Sequence, residues 1–177
     1  MQAKYVEFQI QQLIVLVVDD NAFTRKMVRS LLTNIGVKTV YEAADGIGGL
    51  EVIRAVSPDI VILDWEMPLL NGPELVRIVR SPGVFPYPDV PIIMLTAYGD
   101  RRRLVEAVKL GVNEFLCKPV SAKALCDRFV SILAKPRASV QVGDYYGPEP
   151  RKLMPSDVES GLDIEAEAEA QAEAEFG

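Results

Sequence analysis

Residues 13–20 read LIVLVVDD, an unbroken apolar run followed at once by two aspartates. A continuous apolar run of this length predicts a β-strand that is covered on both faces, as the strands of a parallel sheet are. Three later stretches repeat the arrangement, with polar residues at the carboxyl end of each run: 60–64 (IVILD), 92–96 (IIMLT) and 114–119 (EFLCKP). Helical patterns separate these stretches, so together they decide the predicted fold.

Strand and helix patterns alternate from residue 13 to residue 133, giving five strand–helix units. This alternation predicts a doubly wound α/β fold, in which helices cover both sides of a parallel sheet through right-handed crossovers. We expect the strand order 2-1-3-4-5, the flavodoxin-like arrangement. The predicted strands are 13–18, 39–43, 60–63, 92–95 and 114–117, and the predicted helices are 22–35, 46–56, 73–80, 100–110 and 121–133. The first of these helices shows an apolar stripe at helical spacing, formed by Phe23, Met27, Leu31 and Ile35.

The chain divides into an N-terminal extension (1–11), a domain (12–133) and a C-terminal tail (134–177) without a separate output domain. Residues 5–11 alternate between apolar and polar side chains, which fits an additional strand, although an unstructured leader is an equal alternative. Four prolines in residues 81–91 predict a stiff, extended loop. The tail ends in a low-complexity Glu-Ala repeat, for which we expect disorder or marginal helix.

The net charge of the chain lies in its tail. Residues 1–133 carry 15 basic and 15 acidic residues, whereas residues 134–177 carry 4 basic and 10 acidic residues and account for the net charge of −6. An acidic tail disfavours a polyanionic partner, so we expect no binding to nucleic acid. The sequence lacks a signal-peptide pattern and an apolar run of membrane-spanning length, so we expect a cytoplasmic protein without membrane contact.

The chain contains no histidine, which excludes Ser-His-Asp and Cys-His catalysis, histidine metal sites and a role as a histidine phosphodonor. Its two cysteines, Cys117 and Cys126, fall in a predicted strand and a predicted helix. We interpret them as reduced, buried thiols, because a disulfide framework or a zinc site would need more cysteines.

The polar residues at the strand ends predict a single site. In an open parallel sheet, ligands bind outside the carboxyl ends of the strands, where the winding direction reverses. Asp19, Asp20, Asp64, Thr96 and Lys118 would meet there as three carboxylates, a hydroxyl and an ammonium. Each has an ordinary alternative when taken alone, such as helix capping by the aspartates. Capping alone does not explain polar residues at the ends of four separate strands.

This set of groups suits Mg²⁺ and a phosphoryl group. Mg²⁺ takes oxygen ligands and is usually held by one or two carboxylates together with substrate phosphate. Crowded carboxylates are unfavourable unless a cation compensates their charge. Asp64 could then act as a nucleophile that forms an acyl phosphate. Lys118 would neutralise the phosphoryl charge, and the Thr96 hydroxyl would bond a phosphoryl oxygen.

Four motifs resemble the receiver domain of two-component response regulators, and the likeness covers roughly residues 12–133: 17–20 (VVDD), 63–68 (LDWEMP), 95–97 (LTA) and 115–119 (FLCKP). The resemblance implies that Asp64 accepts phosphate from a histidine on a sensor histidine kinase or a histidine phosphotransfer protein. It implies that Asp20, Asp64 and the backbone carbonyl of Glu66 bind Mg²⁺, with Asp19 contributing through water. The chain would be a signalling protein and not an enzyme that acts on other substrates.

The resemblance also implies a switch. Thr96 would move toward the phosphoryl group and Phe115 would turn inward, which changes the surface formed by the fourth predicted helix, the fifth strand and the fifth helix. Family members often pair through this face, so the resemblance suggests a homodimer there or through the tail. Glu66 and Tyr98 occupy positions that flank the attacking water. We expect Glu66 to repel the dianion or disturb the water and Tyr98 to shield the phosphoryl group. A cis bond between Lys118 and Pro119 is also implied.

Two other functions match part of the pattern. Some phosphate-ester hydrolases use a strand-end aspartate with Mg²⁺ and carry an Asp-x-Asp motif, but the stretch 64–66 (DWE) lacks the second aspartate. A docking module that has lost phosphorylation would not need the intact acidic pair, Thr96 and Lys118. The sequence leaves open whether the protein is a relay intermediate, a phosphate sink or an effector, and it does not name the kinase, the signal or the target.

Two further features stay open at this stage. Arg101, Arg102 and Arg103 occupy the first turn of the fourth predicted helix, where positive charge opposes the helix dipole. A solvated turn or a partner contact would explain them. Residues 143–152 (GDYYGPEPRK) are similar to a segment of some single-domain bacterial receivers. Their two tyrosines would pack on the domain or on a second subunit, or the segment is a plain linker.

Overall fold

The computed structural model describes residues 2–150. The helices are α1 Gln2–Gln12, α2 Ala22–Asn34, α3 Gly46–Val56, α4 Gly72–Val79, α5 Arg101–Leu110 and α6 Ala122–Ala134. The strands are β1 Ile14–Val18, β2 Thr39–Ala43, β3 Ile60–Asp64, β4 Ile92–Thr96, β5 Glu114–Cys117, β6 Ser139–Val142 and β7 Tyr145–Pro148. Because α1 precedes the first predicted helix, the predicted fourth and fifth helices are α5 and α6. The Glu-Ala repeat predicted to be disordered lies outside the described residues.

The central sheet confirms the predicted fold. Its five strands are parallel and lie in the order β2-β1-β3-β4-β5. The register pairs Val18 with Leu63, Asp64 with Leu95, and Thr96 with Cys117. The carboxyl ends of β1, β3, β4 and β5 therefore lie along one edge, where their polar residues can meet.

The sheet has an apolar core on each face. Successive residues of β1 alternate between the two cores, so that Leu16 and Val18 face α3 and α4 while Val15 and Val17 face α2 and α6. The strands β1, β3 and β4 are almost completely inaccessible to solvent. Burial on both faces explains why their sequences are continuously apolar instead of alternating. These rigid central strands position the residues that follow them.

The N-terminal extension is neither of the two alternatives that its alternating sequence suggested. Residues 2–12 form the helix α1, which packs against α6. Ile10 is 2% exposed and lies in the core on that face of the sheet, with Val6 packed beside it. The spacing of Val6 and Ile10 places both on one side of a helix. Tyr5 and Phe8 remain exposed on the other side.

The apolar stripe predicted for α2 is confirmed only in part, since Leu31 and Ile35 pack against the core and are partly buried. The fully buried residues of α2 are Val28 and Leu32, whereas Phe23 is 75% exposed. Phe23 lies in the first turn, beside the carboxyl edge of the sheet, where no second layer covers it. The buried face is therefore rotated by about one residue from the face predicted by periodicity.

The segment after α6 folds back on the domain. Strands β6 and β7 form an antiparallel hairpin, and β7 contacts α5. The Tyr146 hydroxyl donates a hydrogen bond to Asp89, and Arg137 donates to the carbonyl oxygen of Asn113 at 2.6 Å. The two tyrosines therefore pack on the domain in cis, one of the alternatives left open by the sequence. The division of the chain at residue 133 stays a prediction.

Arg80 joins the proline-rich loop to this region. Its guanidinium donates hydrogen bonds to the carbonyl oxygens of Gly111 at 2.9 Å and Pro88 at 2.6 Å, and to the Asn113 side chain at 2.9 Å. Burial lowers the pKa of Arg80 to about 10, which still leaves it charged at neutral pH.

Among residues 2–150, no helix has the length and apolar character that a membrane crossing requires.

Candidate phosphorylation and metal site

The five predicted site residues lie at the carboxyl edge of the sheet. Asp19 and Asp20 follow β1, Asp64 ends β3, Thr96 ends β4 and Lys118 follows β5. The capping alternative for the aspartates does not hold, because Asn21 is the N-cap of α2 and accepts a hydrogen bond from the backbone N–H of Thr24 at 3.1 Å. The acidic pair therefore needs another explanation.

Three carboxylates converge at this edge. One oxygen from each of Asp19, Asp20 and Asp64 lies within 4.8 Å of the other two. Asp19 and Asp64 are buried at 2% and 5% exposure, whereas Asp20 is exposed. The orientation of the Asp19 carboxylate is fixed, because its Oδ1 accepts a hydrogen bond from the backbone N–H of Asn21 at 2.8 Å. Burying like charges this closely is unfavourable without compensating positive charge.

Lys118 supplies part of that compensation. Its Nζ donates hydrogen bonds to Asp64 Oδ1 at 2.8 Å and to Asp19 Oδ2 at 3.2 Å. Burial raises the pKa of Asp64, and the hydrogen bond from Lys118 opposes that rise. Burial alone would lower the pKa of Lys118, but the bond to Asp64 and the charges of Asp64 and Asp19 raise it overall. Lys118 is therefore a stable cation beside the Asp64 carboxylate.

The donor set of the cluster suits Mg²⁺. Three carboxylates face one ammonium, so the cluster carries excess negative charge that a divalent cation would balance. The three side chains of the cluster offer carboxylate oxygens, the ligand type that Mg²⁺ prefers. Asp19, Asp20 and Asp64 would hold the ion. The participation of the Glu66 carbonyl stays a prediction.

The Thr96 hydroxyl is fully hydrogen-bonded. It accepts from the backbone N–H of Tyr98 at 3.1 Å and from Arg103 Nη1 at 3.1 Å, and it donates to the Tyr98 carbonyl oxygen at 3.3 Å. Thr96 is completely buried at the end of β4. Its hydroxyl is therefore engaged by the loop that follows it.

Comparisons with known proteins agree with this geometry. The family model for the response regulator receiver domain matches residues 15–130. Chemotaxis protein CheY1 of Helicobacter pylori is 35% identical over 119 residues, which are 67% of this chain and 94% of that protein. Chemotaxis protein CheY-3 of Vibrio cholerae is 31% identical over 121 residues, 68% of this chain and 92% of that protein. The chain belongs to the response regulator receiver family.

Solved structures of receivers superpose on this chain over most of their length. The receiver domain of the Francisella response regulator 1452 gives a TM-score of 0.63 at 27% identity, covering 70% of this chain and 98% of that one. The CheY4 protein of Vibrio cholerae gives a TM-score of 0.58 at 32% identity, covering 65% of this chain and 93% of that one. The receiver fold thus accounts for β1 to α6.

The loop between β3 and α4 of this receiver requires glycine at position 72. A Cβ on Gly72 would lie 2.5 Å from the backbone oxygen of Asp64. Asn71 caps α4 and forms a reciprocal capping box with Glu74. The start of α4 therefore packs closely against the backbone of Asp64. Leu69, at the tip of the loop, has a φ of 68° and is 94% exposed.

Phe115, the aromatic residue of the predicted switch, contacts Trp65, which directly follows Asp64. The Phe115 ring is half-buried and meets the Trp65 ring edge to face, with centroids 6.3 Å apart and an interplanar angle of 85°. The peptide bond between Lys118 and Pro119 is cis, as the resemblance implied. Cys117, expected to be buried, is exposed because it lies at the outer end of the edge strand β5.

Arg103 is the site residue that the sequence reasoning missed. Its guanidinium forms an ion pair with Glu66 and lies 5.0 Å from the ring centroids of both Trp65 and Tyr98. The guanidinium also donates a hydrogen bond to the Thr96 hydroxyl. The arginine run at the start of α5 was the available signal, because its charge opposes the helix dipole. Its partners in the loop after β3 and at the end of β4 offset the unfavourable position of the Arg103 charge.

Proposed function

We propose that this receiver accepts a phosphoryl group on Asp64 from a histidine of a sensor kinase or a phosphotransfer protein. It then signals through a phosphorylation-dependent change of its surface, without binding DNA and without acting on other substrates. The observation that carries the proposal is the position of Lys118 Nζ, which bridges Asp64 and Asp19 beside the exposed Asp20. A structural role alone does not require three acids around one lysine.

In the transfer, an oxygen of the Asp64 carboxylate attacks phosphorus. A new O–P bond forms while the P–N bond to the donor histidine breaks, and the electron pair of that bond returns to the histidine nitrogen. Lys118 Nζ holds the acceptor carboxylate in place and lies where it can neutralise a phosphoryl oxygen. Mg²⁺, when held by the three aspartates, would supply positive charge against the developing phosphoryl charge. The Thr96 hydroxyl then donates a hydrogen bond to a phosphoryl oxygen.

The arrangement around Glu66 disfavours the hydrolase alternative. A hydrolase of the Asp-x-Asp type needs a protonated acid two residues after the nucleophile to protonate the leaving group. Glu66 occupies that position, but its side chain is 59% exposed and is paired with Arg103. A carboxylate that is held by the Arg103 guanidinium does not provide the acid that this mechanism requires. The single-transfer role of a receiver is better supported.

Intact-mass measurement after incubation with acetyl phosphate and Mg²⁺ tests the proposed function. We expect one phosphoryl adduct per chain, absent in Asp64→Asn and retained in Asp127→Asn, a change at an exposed aspartate on α6. Continuous turnover of a phosphate ester would support the hydrolase. The absence of an adduct in the wild-type protein would support a docking module and contradict our proposal.

A homodimer through the face formed by α5, β5 and α6 is part of the proposal. Val105 and Val108 on α5 and Val130 on α6 are exposed there, at 38%, 43% and 37%. The helix α1 contacts α6, and the hairpin contacts α5. Sedimentation velocity with and without phosphorylation tests the pairing.

The cytoplasmic location stays a prediction from the sequence, and the identities of the kinase and the target stay open.

A further inference from the structure

The side chain of Arg103 joins three segments of the site. Its Nη1 donates to the Thr96 hydroxyl at the end of β4, and its Nη2 pairs with Glu66 in the loop after β3. The guanidinium also lies against the faces of the Trp65 and Tyr98 rings, 5.0 Å from each centroid. The Arg103 side chain is 21% exposed. A planar fork that reaches two acceptors while stacking on rings is a geometry that lysine cannot reproduce.

The hydrogen bonds of Thr96 leave no capacity for a phosphoryl oxygen. A threonine hydroxyl has one proton and two acceptor positions. The proton is directed to the Tyr98 carbonyl oxygen, and the acceptor positions are taken by the Tyr98 N–H and Arg103 Nη1. Thr96 must therefore give up its bond to the Tyr98 carbonyl before it can donate to phosphate. Arg103 and Tyr98 together oppose that rearrangement.

We infer that Arg103 is a positioning residue that holds the Thr96 hydroxyl and the loop between β4 and α5 in the unphosphorylated arrangement until Asp64 is phosphorylated. This inference rests on the proposed function. It extends that function by assigning the resting state of the switch to a side chain of α5. The phosphoryl group would compete with the Tyr98 carbonyl oxygen for the hydroxyl proton, while Arg103 holds an acceptor position of the same hydroxyl. Movement of Thr96 toward the phosphoryl group would therefore weaken the bond from Arg103.

The strength of the contacts is suited to a switch. An ion pair with a partner that is more than half exposed contributes little, so the Arg103–Glu66 pair alone does not lock the loop. The stacking on Trp65 and Tyr98 adds a modest cation–π contribution. The backbone N–H of Arg103 donates to Asp100, the N-cap of α5, at 2.9 Å. The Arg103 side chain therefore links the site to a capped first turn of α5, which borders the proposed output face.

The choice of variants separates positioning from simple electrostatics. Replacing Arg103 with a neutral residue would also remove a positive charge near the acceptor, which by itself slows the uptake of an anionic donor. Arg103→Lys keeps the charge and removes the two-point fork. Arg102→Lys is the matched control, because the Arg102 side chain lies in the same turn, is exposed and has no polar partner among residues 2–150. Tyr98→Leu removes one stacking ring without changing any charge.

The initial rate of adduct formation from acetyl phosphate is the first measurement. We expect Arg103→Lys and Tyr98→Leu to accelerate it about twofold to fivefold, the range set by the loss of a partly exposed cation–π contact. The apparent affinity for beryllium fluoride in the presence of Mg²⁺, a mimic of the phosphoryl group, should rise by a similar factor. Arg102→Lys should match the wild-type protein in both measurements.

Trp65 fluorescence is the second measurement, and a merely structural role would not change it in this way. Trp65 is the single tryptophan of the chain and lies against the Arg103 guanidinium. Its emission in unphosphorylated Arg103→Lys should move toward that of the wild-type protein with beryllium fluoride. The further change on adding the mimic should be smaller than in the wild type.

The outcomes distinguish the two proposals. If the wild-type protein forms an adduct that Asp64→Asn lacks, but Arg103→Lys and Tyr98→Leu react no faster, the inference about Arg103 is wrong and the proposed function stands. Unchanged Trp65 emission in Arg103→Lys also contradicts the inference. If the wild-type protein forms no adduct, the proposed function fails and the inference fails with it.

Discussion

At the scale of residues, Glu66 and Tyr98 near Asp64 have a shared partner that the sequence motifs do not indicate. The sequence suggested that Glu66 repels the phosphoryl dianion or disturbs the attacking water, and in the structure the Glu66 carboxylate is paired with Arg103. Its charge is therefore largely offset in the resting state. Tyr98 contacts the same guanidinium, and its ring is 62% exposed beside the end of β4. The two residues act through one shared partner, so their effects on phosphate lifetime should be coupled.

We predict that Tyr98→Ala shortens the lifetime of the phosphorylated protein several-fold. The aromatic ring lies in the loop that follows Thr96, and its removal should give water easier access to the acyl phosphate. The measurement is the decay of the phosphorylated mass after donor removal. Tyr87→Ala, at a half-exposed tyrosine in the proline-rich loop, is the control and should leave the decay unchanged. A lifetime equal to that of the wild type in Tyr98→Ala would contradict the shielding role.

At the scale of elements, the hairpin is fastened to the domain by polar bonds and by close backbone contact. Arg137 donates hydrogen bonds to the carbonyl oxygens of Asn113 and Glu149. Arg80 donates hydrogen bonds to the Gly111 carbonyl oxygen and the Asn113 side chain. Gly111 has a φ of 91° and ends α5 in the left-handed conformation that favours glycine. The end of α5 and the hairpin therefore share one anchored region.

We predict that Gly147→Ala destabilises the protein by about 1–3 kcal/mol, the usual cost of overpacking. A Cβ at position 147 would lie 2.8 Å from the Cα of Gly111, and backbone on both sides leaves little freedom to adjust. Urea denaturation measures the loss. Val142→Ala, at a residue 71% exposed on the same hairpin, should change the free energy of unfolding by less than about 0.5 kcal/mol. Equal stabilities of the two variants would show that the hairpin does not depend on this contact.

At the scale of the whole molecule, folding concentrates negative charge at one edge of the sheet. Asp64 lies far from the adjacent pair Asp19 and Asp20 in the unfolded chain, so its repulsion with that pair arises only on folding. Lys118 offsets part of it. A cation that binds this cluster stabilises the folded state and has no equivalent site in the unfolded chain. Global stability should therefore depend on the divalent ion.

We predict that Mg²⁺ raises the free energy of unfolding, by about 2.7 kcal/mol when its concentration is 100 times the dissociation constant. Asp20→Asn should reduce this gain and should raise stability in EDTA, because it removes one of three crowded charges. Asp127→Asn should respond to Mg²⁺ as the wild type does. The measurement is urea denaturation with Mg²⁺ and with EDTA. An equal gain in Asp20→Asn would remove Asp20 from the ligand set.

The sequence by itself determined the parallel sheet, its strand order and the residues of the central site. Apolar runs such as those ending at Val18 and Leu63 must be buried on both faces, and short connections between them allow few topologies. Once the strands are parallel, polar residues at their carboxyl ends must share an edge. Asp19, Asp64 and Lys118 therefore meet for reasons that are independent of side-chain detail.

Only the tertiary structure decided the additions to this framework. The alternating residues 5–11 fit a strand locally, but the core has space for Ile10 on a helix packed against α6. The hairpin and Arg103 depend on contacts with segments distant in sequence, at Gly111 and at Glu66. Local periodicity carries no information about such contacts, because they form only after the sheet has brought their elements together.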